Sequence, residues 1–528
     1  MQVKNMKNMY SENVYSSICP GCGLACGLYL REIVSETGEA SLSVDFRKSS
    51  PVNAGKLCRF GMKLPLYYSR PQTSMVGGQR SELKTAVSAA VKALKTSPAE
   101  SLAFFSVGNA TNEEQKTFSA LAGVFGAVIE TGMSIYSLLP AKNRSSLNQS
   151  MSLEEVKNAK QVFLFVDPYS QYPLLLRRVL MAKKNGAKII SAGPRRLPVA
   201  DEQFCLKPEE YGKSLSPSQD SILIADIHPH SDPRHIKAVL ELAEISGSKT
   251  FFLKPFANSA GTELLAAHTK QRTLEKLFED INSGKVKTLF CLESDLLDFA
   301  PDREAAVRTL SKLDTLIIQT SRQGEFSNLA DIVIGSEPFY RKQGTVLNAE
   351  GRFLSTGGGS TVGFDSLSSL AAAFGKQIDF GSVQSEVFEG FGLKEAGEFV
   401  FRPLSKSLHE TDEEKTACQE CKPGHGSYSV SLSKVSSESL QVPFSVSFIY
   451  SLSPFVWHGI ENGNVFVEMN LQTVRKLGLV KGGTVKIRFK ENTVNAKFRV
   501  SDIEDGYLLS SQRLPIAGFS GTEVEISR

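Results

Sequence analysis

The sequence predicts an α/β protein: an N-terminal cysteine-bearing unit, two α/β domains with mainly parallel sheets, and a mostly-β C-terminal barrel. Through the middle of the chain, short apolar runs alternate with amphipathic helical segments, a pattern that builds parallel sheets covered by helices on both faces. After about residue 442 helical periodicity almost vanishes, and strand-like runs punctuated by Gly and Asn take over. A length of 528 residues asks for several cores, and 41% apolar with 22% charged residues is a globular balance that can bury them.

Texture sets the boundaries. Residues 1–65 hold the cysteine cluster, and Leu28–Leu30 and Leu42–Phe46 suggest a small β unit there. Residues 66–400 form the α/β body, read as two interleaved domains because its strand–helix units exceed one sheet. It opens on a helix, with Leu83, Ala86, Val87, Ala90, Val91 and Leu94 at helical spacing. Strands are expected at Leu102–Val107, Gln161–Val166, Lys188–Ser191, Ser221–Ala225, Thr250–Leu253, Val286–Leu292, Thr315–Gln319 and Ile332–Ile334. Helices are expected at Asn112–Val124, Leu174–Lys184, His235–Ile245, Thr273–Ile281 and Arg303–Leu313. Residues 401–440, rich in Ser, Lys and Glu, read as a linker. Residues 441–528 carry six strand-like runs and one short helix near Leu471–Leu477, which fits a barrel.

Composition narrows the function. The net charge of +4 is spread along the chain without a long Lys/Arg tract, so nucleic acid has no electrostatic footprint. No apolar run reaches the roughly 18 residues of a transmembrane helix. Residues 1–15 show neither an apolar core nor twin arginines, so no signal peptide is expected and a cytoplasmic location is the default. Eight cysteines are too few for a disulfide scaffold. Four fall within the first 58 residues, Cys418 and Cys421 form a late pair, and Cys205 and Cys291 stand alone.

The early four carry the strongest chemical signal. Cys19, Cys22, Cys26 and Cys58 have the form C-x2-C-x3-C-x31-C. A cubane [4Fe–4S] cluster needs four thiolates converging on one centre from tight loops. Gly21, Gly23 and Gly27 are expected to supply permissive dihedrals for that wrap. A structural zinc site and reduced, unliganded thiols are the alternatives. Zinc sites usually pair two C-x2-C units, and this spacing departs from that grammar. The expected ligands are Cys19, Cys22, Cys26 and Cys58, and the expected role is electron transfer.

With the stretch Val52-Asn53-Ala54-Gly55-Lys56-Leu57-Cys58-Arg59-Phe60-Gly61, this segment resembles the opening of the molybdopterin oxidoreductase superfamily. That superfamily includes formate dehydrogenase alpha subunits, nitrate reductases and the large Fe–S subunit of complex I. Ala187–Ile190 with Pro194-Arg195 resembles the strand and loop of its cofactor-nucleotide region. Ala330–Ile334, then Gln343-Gly344-Thr345 through Asn348-Ala349-Glu350-Gly351-Arg352, is similar to a further family signature. Val467–Asn470, Leu477–Leu479 and Lys481–Gly483 resemble its C-terminal dinucleotide-binding barrel, of double-psi type. The resemblance implies cofactor-binding roles for Pro194, Arg195, Asn348, Glu350, Gly351 and Arg352. It also implies Mo or W on a bis(pterin guanine dinucleotide) in catalytic members, and Fe–S or flavin partner subunits.

Departures from that pattern bear on catalysis. The stretch from about Gly126 to Gln149, where the family places its metal ligand, has no Cys, His or Asp; Ser134, Ser137, Ser145 and Ser146 are its only candidates. Phe60 stands where catalytic members commonly have Lys, with Lys63 further on, and Gly193 stands where they have Asp. The expectation is a complex I-like electron-transferring subunit with a decayed pterin site. A catalytic molybdopterin enzyme such as a formate dehydrogenase, and a non-catalytic structural or maturation paralogue, are the alternatives.

Other candidates have plain readings beside sharp ones. Cys418-Gln-Glu-Cys421 with His425 and His409 is read as an unliganded pair before a zinc or redox site. Asp226, His228, His230, Asp232 and His235 look like metal ligands, but Ser231-Asp232-Pro233 is a helix cap and first-turn sequence. Gly357–Gly359 could approach a pyrophosphate or simply turn. Gly482-Gly483 reads as a hairpin turn. Trp457 and His458 read as core or interface residues.

Overall fold

The computed structural model describes residues 10–35, 40–131, 147, 151–228, 231–266, 274–298, 300, 303–393, 399–401, 444–450, 466–480, 482–511, 514 and 520–528. The N-terminal unit is a three-stranded antiparallel sheet of Tyr10–Ile18, Gly27–Ser35 and Ala40–Phe46, then two short helices, Arg59–Met62 and Leu64–Tyr67. The first of these strands was not evident in the sequence, since Ser, Glu and Asn interrupt its alternation.

Two sheets form the body. One has five parallel strands in the spatial order Glu202–Phe204, Lys188–Ala192, Gln161–Leu164, Ser221–Asp226, Lys249–Leu253. The other has seven: Gln79–Arg80, Met75–Val76, Ile332–Gly335, Thr315–Thr320, Thr288–Leu292, Leu102–Ser106, Val128–Glu130. Only the hairpin at residues 75–80 runs antiparallel in it, and all eight expected strands appear. The five-stranded sheet is an insertion between two strands of the seven-stranded one, so the two α/β units interleave in sequence. Both centres read as continuous apolar runs because helices cover both faces, as at Leu102–Ser106 and Thr288–Leu292, where every residue is buried. A small antiparallel sheet, Thr345–Leu347, Arg352–Ser355 and Phe399–Phe401, joins the body to the N-terminal unit.

Local signals set the helix starts. Thr111 and Glu114 form a reciprocal capping box on Asn112–Val124, and Ser152 and Glu155 do the same on Leu153–Asn158. Asp232 accepts from the Arg234 amide, Pro233 is the first helical residue, and Gly247 closes the helix at φ +69°, so Asp232 is the cap that its sequence suggested. The C-terminal strands close into a six-stranded barrel, with the expected helix at Leu471–Lys476. Gly482-Gly483 is not a hairpin turn: it connects that helix to the strand Thr484–Phe489. No helix among the described residues is long and apolar enough to cross a membrane.

Two packing devices tie the loop after residue 338 to the rest. A Cβ on Gly357, at φ +70°, would lie 1.7 Å from the Ser16 carbonyl oxygen, and one on Gly358 would lie 2.2 Å from that of Arg341. The glycines therefore admit the protein's own backbone. Lys342, fully buried, donates to Glu114 Oε1 and Oε2 at 2.8 and 2.9 Å and to Glu293 Oε1 at 2.7 Å. Burial opposes the ammonium charge, but the two carboxylates outweigh it and hold the Lys342 pKa above its ordinary value. Glu293 itself sits at φ +45°, a strained conformation for a side chain of its size. Replacing one member strands the others' charge, so Lys342→Met should cost about 3–5 kcal/mol, read as a fall in the denaturation midpoint. The neutral set Lys342→Met, Glu114→Gln, Glu293→Gln should recover most of that loss. Gly358→Ala should destabilise by roughly 1–3 kcal/mol in the same assay.

Candidate functional site: four thiols and a nucleotide-sized cavity

The strands Tyr10–Ile18 and Gly27–Ser35 pair up to Ile18 opposite Gly27, so residues 19–26 are the loop that joins them. The Cys19 amide donates to the Cys26 carbonyl at 2.8 Å and closes that loop. Cys58 is the N-cap residue of Arg59–Met62. All four thiols line one cavity with Leu24, Leu57, Phe60, Gly61 and the segment Gln171–Leu174. None is in a disulfide; Cys19 and Cys26 are buried, while Cys22 and Cys58 are partly exposed.

Burial first, and the neighbouring thiols second, push Cys19 and Cys26 well above the ordinary thiol range and Cys22 up to about 12. Cys19, Cys22 and Cys26 ionise together only with positive charge at their centre. That donor set fits an iron–sulfur core, whose cations offset the charge of the thiolates. Among the described residues no three His, Cys, Asp or Glu side chains are grouped as ligands of a single ion. The thiols surround a cavity rather than a point, which suits a multi-atom cluster better than zinc.

The glycines of the loop work differently from expectation. Gly21, Gly23 and Gly27 do not have positive φ; the left-handed residue is Ala25, at φ +52°. The glycines are needed for space. A Cβ would meet the Phe60 ring at 2.4 Å from Gly21, the Lys254 carbonyl oxygen at 2.9 Å from Gly23, and Ser50 Oγ at 2.7 Å from Gly27. Phe60 thus packs on the cysteine loop, whereas Lys63 is exposed.

Two buried asparagines brace the loop. Asn53 Oδ1 accepts from the Gly27 amide at 2.9 Å, and its Nδ2 donates to the carbonyls of Gly27 and Lys56 at 2.9 and 2.7 Å, so it ties the loop to the Cys58 segment. Asn348 Nδ2 donates to the Leu24 carbonyl at 2.9 Å, and its Oδ1 accepts from the amides of Glu350 and Arg352 at 3.0 and 2.9 Å. The Ala349 amide donates to the Gly23 carbonyl, and the Gly23 amide to that of Lys254, both at 2.7 Å. Glu350 accepts from the Leu153 amide at 2.8 Å and pairs with Arg352 at 3.2 Å, and Gly351 turns at φ +74°. Asn348, Glu350, Gly351 and Arg352 therefore stand behind the cysteine loop. Sequence reasoning missed Asn53 as a brace, although its place five residues before Cys58 was the available signal.

Pro194 and Arg195 lie elsewhere, on a cavity of about 320 Å³ between the five-stranded sheet and the barrel. It opens past the carboxyl ends of Gln161–Leu164 and Ser221–Asp226, where strand order reverses, the usual ligand crevice of such sheets. Its two arginines are engaged: Arg195 pairs with Asp167 and Glu468 at 3.0 and 2.9 Å, and Arg234 with Asp232 at 2.8 Å. Burial opposes the Glu468 charge, but Ser501, Arg499 and Arg195 hold its carboxyl below the ordinary range. Asp226 is pushed up to about 7 by burial, against a bond from Gln171 at 3.0 Å. His228 lies 3.7 Å from it, and burial lowers His235, bonded to the Tyr211 hydroxyl, to about 4. Asp226, His228, Asp232 and His235 line the cavity without forming a metal centre.

The seven-stranded sheet reverses order between Leu102–Ser106 and Thr288–Leu292. The cavity there measures only about 50 Å³, lined by Asn109, Glu293, Tyr67, Tyr68 and Phe339 among others. Ser134, Ser137, Ser145, Ser146, His230, His409, Cys418, Cys421, His425, Trp457, His458 and Lys481 lie outside the described residues.

Residues 12–68 match the molybdopterin oxidoreductase Fe4S4 domain. The F420-dependent formate dehydrogenase 1 subunit alpha of Methanococcus maripaludis is 29% identical over 210 residues, 35% of this chain and 29% of that protein. The NADPH-Fe(3+) oxidoreductase subunit alpha of Geobacter sulfurreducens is 34% identical over 97 residues, 18% of this chain and 11% of that protein. The chain thus spans less than a third of the length of these curated relatives. Acetylene hydratase from Pelobacter acetylenicus shares the fold, with a TM-score of 0.58 over 94% of this chain and 92% of that one at 11% identity. The cysteine loop thus lies in a segment that matches the molybdopterin oxidoreductase Fe4S4 domain, and the chain shares its fold with acetylene hydratase.

Proposed function

We propose that this chain is an electron-transferring oxidoreductase subunit in which Cys19, Cys22, Cys26 and Cys58 hold one [4Fe–4S] cluster and no reaction occurs at Mo or W. A cubane supplies one-electron storage when bound. The chain's own part is to provide four thiolates, to keep water away with Leu24, Phe60, Tyr172 and Leu174, and to fix the loop through Asn53 and Asn348. The Gly21 amide, 3.4 Å from Cys19 Sγ, is a hydrogen-bond donor that eases charge on that sulfur.

The observation that carries the relay reading is the stretch from about Gly126 to Gln149, which offers no Cys, His or Asp to ligate Mo or W. Two pterin dinucleotides need two cavities, and drug-sized ligands occupy roughly 300–1,000 Å³. Among the described residues, a cavity of about 320 Å³ lies at the five-stranded sheet and one of about 50 Å³ at the other. A second reading, a catalytic molybdopterin enzyme, is favoured by the larger cavity and by formate dehydrogenase alpha subunits among the relatives. Fe–S or flavin subunits are the expected partners in either case.

Elemental analysis of anaerobically purified protein separates the readings. The relay predicts about four iron atoms per chain without Mo or W; one Mo or W per chain would establish the second reading, and zinc in place of iron would sink both. Cys22→Ser should lose most of the iron, and Asn53→Leu should lower cluster retention while leaving the thiols intact. An empty larger cavity predicts a pH effect. The folded Asp226 pKa of about 7 lies above its unfolded value, so the folded state binds more protons and stability falls as pH rises from about 4 to 7. Asp226→Asn should flatten that slope, at most about 1.4 kcal/mol per pH unit, in denaturation series across the window.

A further inference from the structure

The surface around Cys58 has a character that the cluster alone does not explain. From Phe46 to Ser81 the chain contains seven Lys or Arg and no Asp or Glu. Lys48, Lys56, Arg59, Lys63 and Arg70 are exposed. Arg59, Met62, Lys63 and Leu66 recur at helical spacing on the outer face of Arg59–Met62 and Leu64–Tyr67, while Phe60, Gly61 and Leu64 face inward. Met62 is 47% exposed and Leu66 58%, an apolar centre within a basic rim. Lys48 closes the far side, its backbone packed against Gly55. Cys22 and Cys58 are the two partly exposed ligands, and Gly61, one turn past Cys58, still lines the thiol cavity.

We propose that this face is the docking surface for an acidic redox protein that exchanges single electrons with the cluster. The inference rests on the proposed ligation by Cys19, Cys22, Cys26 and Cys58, and it adds the place and charge of the partner. One electron crosses per encounter, so the cluster gains what the partner's centre loses, or the reverse. Charge complementarity selects the occupant. Transient electron-transfer complexes are small, with a compact apolar centre and a charged rim that steers approach. Arg and Met are the side chains that such centres favour. A nucleic acid would meet Met62 and Leu66 at the middle of the patch, where they offer phosphate nothing.

The test uses the full chain, purified anaerobically with its iron counted. Its affinity for a strongly acidic blue-copper protein is measured by calorimetry at low and physiological ionic strength. The rate at which Cu(II) is reduced to Cu(I) by the dithionite-reduced chain is followed in parallel. Binding and rate should both weaken roughly tenfold or more with salt, and basic cytochrome c should show the opposite trend. Lys48→Glu with Lys63→Glu should reduce affinity for the copper protein by roughly tenfold while iron content stays unchanged, with Lys48→Gln and Lys63→Gln intermediate. Salt-independent binding, an unaffected double variant, or tighter binding of a DNA duplex or anionic vesicles would overturn the proposal. Salt-dependent binding by a chain without iron would leave the surface standing and sink the ligation instead.

Discussion

Asn53 and Asn348 are the buried side chains that tie the cysteine loop to the Cys58 segment and to the residues after Thr345–Leu347. Three thiols come from one hairpin loop and the fourth from a segment beyond it, and burial disfavours the ionised form of the three in the loop. A loop of that kind needs its backbone partners fixed before the sulfurs can converge. Each asparagine uses its donor and its acceptor on buried backbone, so neither side of the amide is left unsatisfied. The brace continues inward: Asn348 follows the strand Thr345–Leu347, and Thr345 is bonded through its amide to Glu113 on the long helix Asn112–Val124. That helix also presents Glu114 to Lys342. The cysteine loop is thereby referenced to the seven-stranded sheet rather than to its own small one.

The two sheets obey one topological rule and reach different outcomes. Each reverses strand order at its centre and opens a crevice past the carboxyl ends of its strands. In the five-stranded sheet the crevice stays open because the barrel spans it, stitched by Arg195 to Glu468 and by the Glu504 amide to the Pro194 carbonyl at 2.9 Å. At the other sheet Glu293 lines a small cavity and accepts from Lys342. The electrostatics differ accordingly. The larger cavity retains a protonatable Asp226, whereas beside the smaller one a lysine is shared by two carboxylates.

Much of the fold was legible because periodicity survives in sequence. Every strand of the parallel centres announced itself as an apolar run, and the helix expected at Asn112–Val124 has those bounds. The cysteine set was legible because metal-ligand spacing is local. What remained hidden was contact between distant residues. Lys342 and Glu114 are 228 positions apart and leave no periodic mark. The role of Gly21, Gly23 and Gly27 was misjudged for the same reason: dihedral freedom is a local property, but the constraint came from Phe60, Lys254 and Ser50 pressing on the loop from elsewhere. Pro194 and Arg195 were grouped with Asn348 and its neighbours by resemblance, while three-dimensional packing puts the first pair on the larger cavity and the others behind the cysteine loop.

The bond between Asn348 and the Leu24 carbonyl spans 324 residues. During synthesis the loop with its first three cysteines emerges early, yet the residues that clamp it leave the ribosome only after both strands of the insertion's neighbours and the insertion itself have been made. Until then the loop has its Asn53 brace and its own Cys19–Cys26 bond but lacks the Asn348 clamp. A cluster delivered in that interval would meet a pliable loop, and one delivered later would meet a finished socket whose fourth ligand and inner wall are already fixed. The last wall of the thiol loop is thus contributed by a residue made 324 positions after Leu24.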